Sequence, residues 1–190
     1  MLVVGIGGTV SPASSSDRAL RTALEEAARL GAETRMFSGD CLKRLPMYDP
    51  TTTVRSPWAR ELVEALRECS GVVLSSAAYH GSVPGMLKNA LDYAEDLAGD
   101  DRTYLSGRPV GCIAVARGWQ AGVQTLSTLR TIVHALRGWP TPYGCVVNTA
   151  DSAAGCGVAA AREGLCTVAG EVVYAARVFS HRERSGTAAG

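Results

Sequence analysis

A chain of 190 residues, 46% hydrophobic and 19% charged, has the length of one domain and the composition of a packed globule, not of a disordered chain. A formal net charge of +1 leaves no electrostatic footprint for nucleic acid or an anionic membrane surface, and 6% aromatics supply no stacking platform for single strands. The six cysteines form no C-x-x-C pair and no zinc spacing, and the three histidines belong to no metal motif. The first residues lack the basic and long apolar regions of a signal peptide, and no apolar run approaches the roughly 20 residues that span a bilayer. These features predict a reduced, soluble, cytoplasmic protein with neither nucleic acid nor membrane as partner.

Taken in chain order, short apolar runs alternate with amphipathic segments. Residues 2–6 form a compact strand that ends in glycines. Residues 17–30 repeat Leu20, Ala23, Leu24, Ala27 and Ala28 at helical spacing, and Gly31 stands where a helix usually ends. Residues 33–37 read as a weaker strand. Residues 57–69 carry Leu62, Val63 and Leu66 on one helical face, with Pro57 near the start. A third strand covers 71–76, and a helix with the stripe Met86, Leu87, Ala90, Leu91 and Ala94 covers 84–97. A fourth strand, 110–116, leads to a helix over 123–136, and a fifth strand covers 143–147. Residues 153–179 are helical in pattern, with a break expected near Gly164 or Gly170. Residues 182–190 are small and polar and predict a frayed tail, which leaves 1–181 as a single domain. Segment 38–56 is long for a connection and predicts a lid or an interface arm.

Strands separated by helices pair in parallel through right-handed crossovers. Five of them predict an α/β fold: a doubly wound five-stranded parallel sheet in the order 2-1-3-4-5, with helices on both faces. In such a sheet a ligand lies outside the carboxyl ends of the strands, at the switch point between the first and third. The loops to inspect are therefore 7–16, 77–83 and 117–122.

The first loop reads Gly7-Gly8-Thr9-Val10-Ser11-Pro12-Ala13-Ser14-Ser15-Ser16. Two glycines permit a tight turn, and Thr9, Ser11, Ser14, Ser15 and Ser16 gather hydroxyls around the free amides of a positive helix end. That chemistry suits the terminal phosphate of a mononucleotide such as FMN. The dinucleotide fingerprint fails, because Val10 stands where its third glycine belongs, and no Gly-Lys-Ser/Thr marks a P-loop. The same residues also satisfy a plain helix start, with Ser16 as N-cap and the other serines filling a polar turn.

The second loop reads Ala77-Ala78-Tyr79-His80-Gly81-Ser82-Val83-Pro84-Gly85-Met86-Leu87-Lys88-Asn89-Ala90-Leu91-Asp92. Tyr79, Gly81, Ser82, Pro84, Gly85, Leu87, Lys88, Asn89, Ala90 and Asp92 match the pattern Pro-x-Tyr-x-Gly-Ser-x-Pro-Gly-x-Leu-Lys-Asn-Ala-x-Asp. The chain here resembles the NADPH-dependent FMN reductase family of flavodoxin-like proteins. Two departures stand out: Ala77 replaces the pattern's proline, and Ser11 stands where the family's first loop carries an arginine. Arg18 and Arg21, on the first helix, are the cations nearest in sequence that can compensate.

The resemblance implies FMN as cofactor and NAD(P)H as hydride donor. The phosphate falls to Thr9, Ser11, Ser14, Ser15 and Ser16, and ring contacts to Ala77, Ala78, Tyr79, His80, Gly81 and Ser82. Arg117, Gly118 and Trp119 line the far rim. No side chain is expected to act as catalyst, since the chemistry sits on the flavin. Lys88, Asn89 and Asp92 are expected to cap, pair or build an interface. A small electron acceptor is implied: free flavin, a quinone, or an azo or nitro compound. The family also implies a homodimer or homotetramer, with segment Leu45-Pro46-Met47-Tyr48-Asp49 as an arm toward a neighbouring site. Transfer of reduced flavin to a partner monooxygenase is a further implication. An electron carrier of the flavodoxin type is the non-enzymatic alternative, against which the near-neutral charge weighs.

Overall fold

The computed structural model describes residues 1–11, 14–150 and 157–186, except for the side chains of 182–186. Pro12, Ala13, Cys156 and the end of the expected tail lie outside the described residues, as do side chains from 182 onward.

β1 (Leu2–Gly7) is buried at all but its first residue, and its neighbours divide between two packed layers. Val4 and Ile6 face one core with Val72, Leu74, Val110 and Cys112. Val3 faces the other with Val73, Ile113, Val115 and Val147. This period-two division makes continuous apolar runs the right code for strands covered on both faces. The first layer is closed by α3 (Pro57–Glu68), α4 (Gly85–Asp92) and α5 (Trp119–Ala135), through Leu62, Leu66, Leu87, Leu129 and Val133. The second is closed by α1 (Ser15–Arg29) and α7 (Arg162–Gly186), through Leu20, Leu24, Val168 and Val172.

β2 (Glu33–Phe37), β1, β3 (Gly71–Ala77) and β4 (Pro109–Ala116) follow one another in parallel. Both β5 (Trp139–Pro140) and β6 (Cys145–Asn148) then pair with β4. The expected order 2-1-3-4-5 is therefore present, and the described sheet has six strands because its last edge is interrupted. Pro140 and Pro142 lack ladder donors, which explains why pairing lapses between the two halves.

Other differences have local causes. α1 starts at Ser15, because Ser14, not Ser16, is the N-cap: its hydroxyl accepts from the Asp17 amide at 3.1 Å. The helix expected over 84–97 tightens after Asp92 into a 3-10 turn, Tyr93–Leu97. α5 begins at Trp119, four residues earlier than its apolar stripe suggests. A short α2 (Gly39–Lys43) has no apolar period long enough to announce it. The last helical segment breaks between α6 (Gly157–Ala160) and α7, before Gly164. α7 runs through Gly186, so the start of the expected tail is helical. Cys112 and Cys145, inside apolar strands, are buried, and Cys166 is partly covered.

Arg108 is the one fully buried cation among the described residues. Its guanidinium donates to the carbonyls of Arg67 at 2.7 Å, Tyr104 at 3.0 Å and Cys69 at 3.2 Å. It thereby ties the start of β4 to the end of α3, in place of a carboxylate partner.

Candidate functional site

β1, β3 and β4 end at the same side of the sheet, so their three loops are neighbours. At the first, the chain turns so closely past β3 that a Cβ on Gly7 would lie 2.0 Å from the Ser75 carbonyl oxygen. Only glycine fits there. The Gly8 amide then donates to that same oxygen at 3.2 Å. Ser75, the first of two serines that end an apolar run in β3, donates its hydroxyl to the Ser16 carbonyl at 2.8 Å. β3 thus holds both ends of the first loop.

The serines of this loop divide into two groups. Ser14 and Ser16 are buried, and their hydroxyls bond each other at 2.9 Å. Their side chains build the turn. Thr9, Ser11 and Ser15 are more open, and the Ser11 amide bonds the Thr9 hydroxyl at 3.3 Å. The Asp17 amide is taken by Ser14 Oγ and the Arg18 amide by the Ser14 carbonyl. The amides of Ser15 and Ser16 take no partner among the described residues. Two amides at a helix N-terminus with no partner among the described residues favour an anion. Arg18 donates from Nη2 to Ser15 Oγ at 3.1 Å, which puts a guanidinium beside the loop that lacks the family's arginine. Arg21 instead pairs with Asp17 at 3.4 Å.

The second loop is a tight hairpin. Tyr79 and Ser82 exchange backbone hydrogen bonds of 2.9 and 3.0 Å across His80 and Gly81. Both central residues have positive φ, 51° and 80°. This is the type I′ geometry, which glycine adopts without strain and histidine tolerates. The Ala78 amide donates to the Val115 carbonyl at 2.9 Å, and Thr125 Oγ1 of α5 donates to the Ser82 carbonyl at 3.5 Å. The hairpin is therefore clamped by β4 and α5, while Tyr79 remains 54% exposed. Ala77 and Ala78 are half-buried at its base, and their small side chains leave the approach to the strand ends open.

The third loop is short. Arg117 is exposed and bonds no described residue, and Gly118 has open space where a Cβ would stand. Trp119, 63% exposed, turns toward a cavity of about 660 Å³ shared with Asn148 and Gly157, beyond β6.

The 38–56 arm lies on its own chain. A Cβ on Gly39 would meet the Thr9 carbonyl oxygen at 1.9 Å, so α2 abuts the first loop. Further along, buried Asn89 of α4 accepts from the Tyr48 amide at 2.8 Å and donates to the Pro46 carbonyl at 2.9 Å. Tyr93 donates to that same carbonyl at 3.0 Å. Arg55 grips Asp96 with two hydrogen bonds of 2.7 Å and lies over the Tyr48 ring. The bonded carboxylate raises the Arg55 pKa, while burial raises those of Tyr48 and Tyr93. Lys88 and Asp92 form an exposed ion pair and touch no loop. The matched helix motif thus contributes one arm-positioning residue, Asn89, and one surface pair.

The residues present fit a flavin mononucleotide: helix-start amides with no described partner and open hydroxyls for a phosphate, then a clamped hairpin with an exposed aromatic for a ring. Ser75 and Thr125 were not apparent as contributors from sequence. A serine within a β-strand run was the available signal for the first, and nothing marked the second.

Comparison with known proteins agrees. Residues 1–152 match the NADPH-dependent FMN reductase family. An NADPH azoreductase of Bacillus sp. (strain OY1-2) is 32% identical over 89 residues, which make up 46% of this chain and 47% of that protein. An FMN-dependent NADPH-azoreductase of Staphylococcus aureus (strain USA300) is 33% identical over 94 residues, 50% of this chain and 46% of that protein. The chain thus matches about half the length of these relatives. In fold it is similar to an oxidoreductase from Corynebacterium diphtheriae, with a TM-score of 0.73 at 21% identity over 92% of this chain and 96% of that one. A family match over most of its length identifies the chain as a member of the NADPH-dependent FMN reductase family.

Proposed function

We propose that this protein is an FMN-dependent NAD(P)H oxidoreductase that passes electrons to a small acceptor. The observation that carries the reading is the pairing of the Ser15 and Ser16 amides, which have no partner among the described residues, with the clamped His80–Gly81 hairpin at the switch point of the sheet. When bound, FMN supplies the redox chemistry, accepting hydride from NAD(P)H and giving electrons up again. The chain's own part is to bind and orient. Thr9, Ser11 and Ser15, with the α1 amides and Arg18, receive the phosphate; Ser14 and Ser16 shape the turn that presents those amides. Ala77, Ala78, Tyr79, His80, Gly81 and Ser82 receive the ring, and Arg117, Gly118 and Trp119 bound the side from which other molecules approach. No general acid or base is needed for hydride transfer.

Azo compounds are the acceptor class favoured by the names of the two curated relatives; free flavin, for delivery to a partner monooxygenase, and quinones are the competing acceptors. A homodimer or homotetramer is supported by apolar side chains left open on the arm and α3: Met47 is 80% exposed, and Val54 and Trp58 accompany it. Among the described residues no helix is long and apolar enough to cross a membrane. Buried unpaired thiols at Cys69, Cys112 and Cys145 fit a reducing compartment such as the cytoplasm.

The reading is tested by loading the protein with FMN, adding NADPH without oxygen, and then adding an azo dye, a quinone or excess FMN in turn. Bleaching of the flavin band by NADPH, followed by its return with one acceptor, is expected. A flavin band that NADPH leaves unchanged, and NADH also, contradicts it and favours a carrier.

A further inference from the structure

The interrupted edge of the sheet builds a second cavity. β4 meets the edge at Val110↔Pro140 and next at Ile113↔Cys145. Gly111 and Cys112 of β4 therefore stand opposite the four residues 141–144, an insertion that the edge absorbs as a bulge. The bulge is firmly held. The Thr141 amide donates to the Val110 carbonyl at 3.0 Å, and Arg130 Nη2 donates to the carbonyls of Thr141 and Pro142 at 2.9 and 2.8 Å. The Tyr143 amide donates to Glu171 Oε2 of α7 at 2.9 Å.

Between bulge and α7 lies a cavity of about 390 Å³, walled by Trp139, Tyr174, Phe179, Pro140 and Pro142, with Glu171 at its side. The Trp139 and Phe179 rings meet edge to face, 5.6 Å apart. Trp139 is 61% and Tyr174 71% exposed, so aromatic surface stands open at the mouth. Among the described residues, Glu171 is the only charged one in the lining. It pairs with no cation among the described residues. Arg130 is committed to the bulge carbonyls, and Arg177 of α7 to the Leu30 carbonyl. Pro109, which also lines the cavity, opens β4, whereas the flavin loops follow Ala116. Along the strand that separation is about 23 Å, at a rise of ~3.3 Å per residue.

We propose that this cavity binds a small organic cation of the quaternary ammonium type. Aromatic faces attract a cation through their quadrupole, and a methylated ammonium leaves water more readily than a primary one. The Glu171 carboxylate, which meets no described cation, supplies the complementary charge, while a volume of about 390 Å³ lies within the usual range for small-ligand pockets. An uncharged ligand of the same shape gains only the apolar contacts, and an anion is repelled.

The probe is choline, compared with its uncharged carbon isostere 3,3-dimethylbutan-1-ol, titrated into the FMN-loaded protein. The readout is the Trp139 indole N–H resonance, assigned by its absence in Trp139→Phe. Choline is expected to shift this resonance saturably, and the isostere to bind at least about fivefold more weakly. Glu171→Gln retains an acceptor for the Tyr143 amide and removes the charge. It is expected to weaken choline by about five- to tenfold with the denaturation midpoint and flavin reduction unchanged. Trp139→Ala, which removes the ring, is expected to abolish choline binding measured by calorimetry. Equal affinity for choline and its isostere, undiminished choline binding in Glu171→Gln, or no response to choline overturns the proposal.

Discussion

Gly81 carries the tightest conformational demand in the second loop. Its φ of 80° is strained for any residue with a Cβ, although a Cβ there would meet nothing nearer than Gln124 Cγ at 3.9 Å. The cost of Gly81→Ala is therefore conformational, about 1 kcal/mol, and falls on the hairpin proposed to receive the ring. FMN affinity in this variant is expected to drop several-fold in a fluorescence titration. Gly85→Ala is the control four residues on: open space surrounds it, and it begins α4, so stability and FMN affinity should hold or rise slightly. Equal losses in both variants would contradict the assignment of the hairpin to the ring. At this scale the sequence was informative where chemistry and sterics coincide. A Gly-Ser turn after a strand is readable as an exposed backbone. The division of the serines was not, because three consecutive serines are alike in sequence and part only in the fold, where Ser14 and Ser16 are buried and bond each other while Ser15 stays more open.

Among the elements, the arm shows how a matched motif can act at a distance from the ligand. Asn89 replaces two solvent hydrogen bonds of the arm backbone with its own amide, at 2.8 and 2.9 Å, from within the core of α4. Asn89→Ala leaves the Tyr48 amide unpaired and is expected to cost about 1–3 kcal/mol. Trypsin should then cut the arm at Arg55 faster than in the parent protein, as followed by mass spectrometry. An unchanged cleavage rate would mean that the Arg55–Asp96 grip alone holds the arm. The strands and long helices were legible from period two and period 3.6 in the sequence. α2 and β5 were not, since five and two residues are too few to set a period. α5 starts before its apolar stripe because its first turn faces the rim, where Trp119 and Gln120 are exposed. The arm's resting place on α4 had no local signal, because it is fixed by one asparagine more than forty residues away.

In the molecule as a whole, two apolar layers close on one sheet, and burial leaves a titration signature. Burial pushes the Cys112 thiol up to about 12 and the Cys145 thiol up to about 11, from an ordinary 9.0. Each holds its proton more tightly in the folded chain than in the unfolded one. Stability is thus full below the unfolded thiol pKa, then falls as pH rises from about 9 through these values, by up to about 1.4 kcal/mol per pH unit for each thiol. Replacing both by alanine should flatten the alkaline limb in denaturation curves taken between about pH 8 and 10.5, whatever it does to the baseline. An unaltered slope would place the alkaline loss in other groups. The same layers leave the ligand end open, where three loops converge. The central claim is that these loops hold FMN with its phosphate at the start of α1. Its most direct test is to titrate FMN and riboflavin into the parent protein and into the double variant Thr9→Val, Ser15→Ala. FMN should bind the parent at least about tenfold more tightly than riboflavin, and the double variant should lose most of that margin while riboflavin changes little. Equal weakening of both flavins, or no preference for FMN in the parent, would contradict the account.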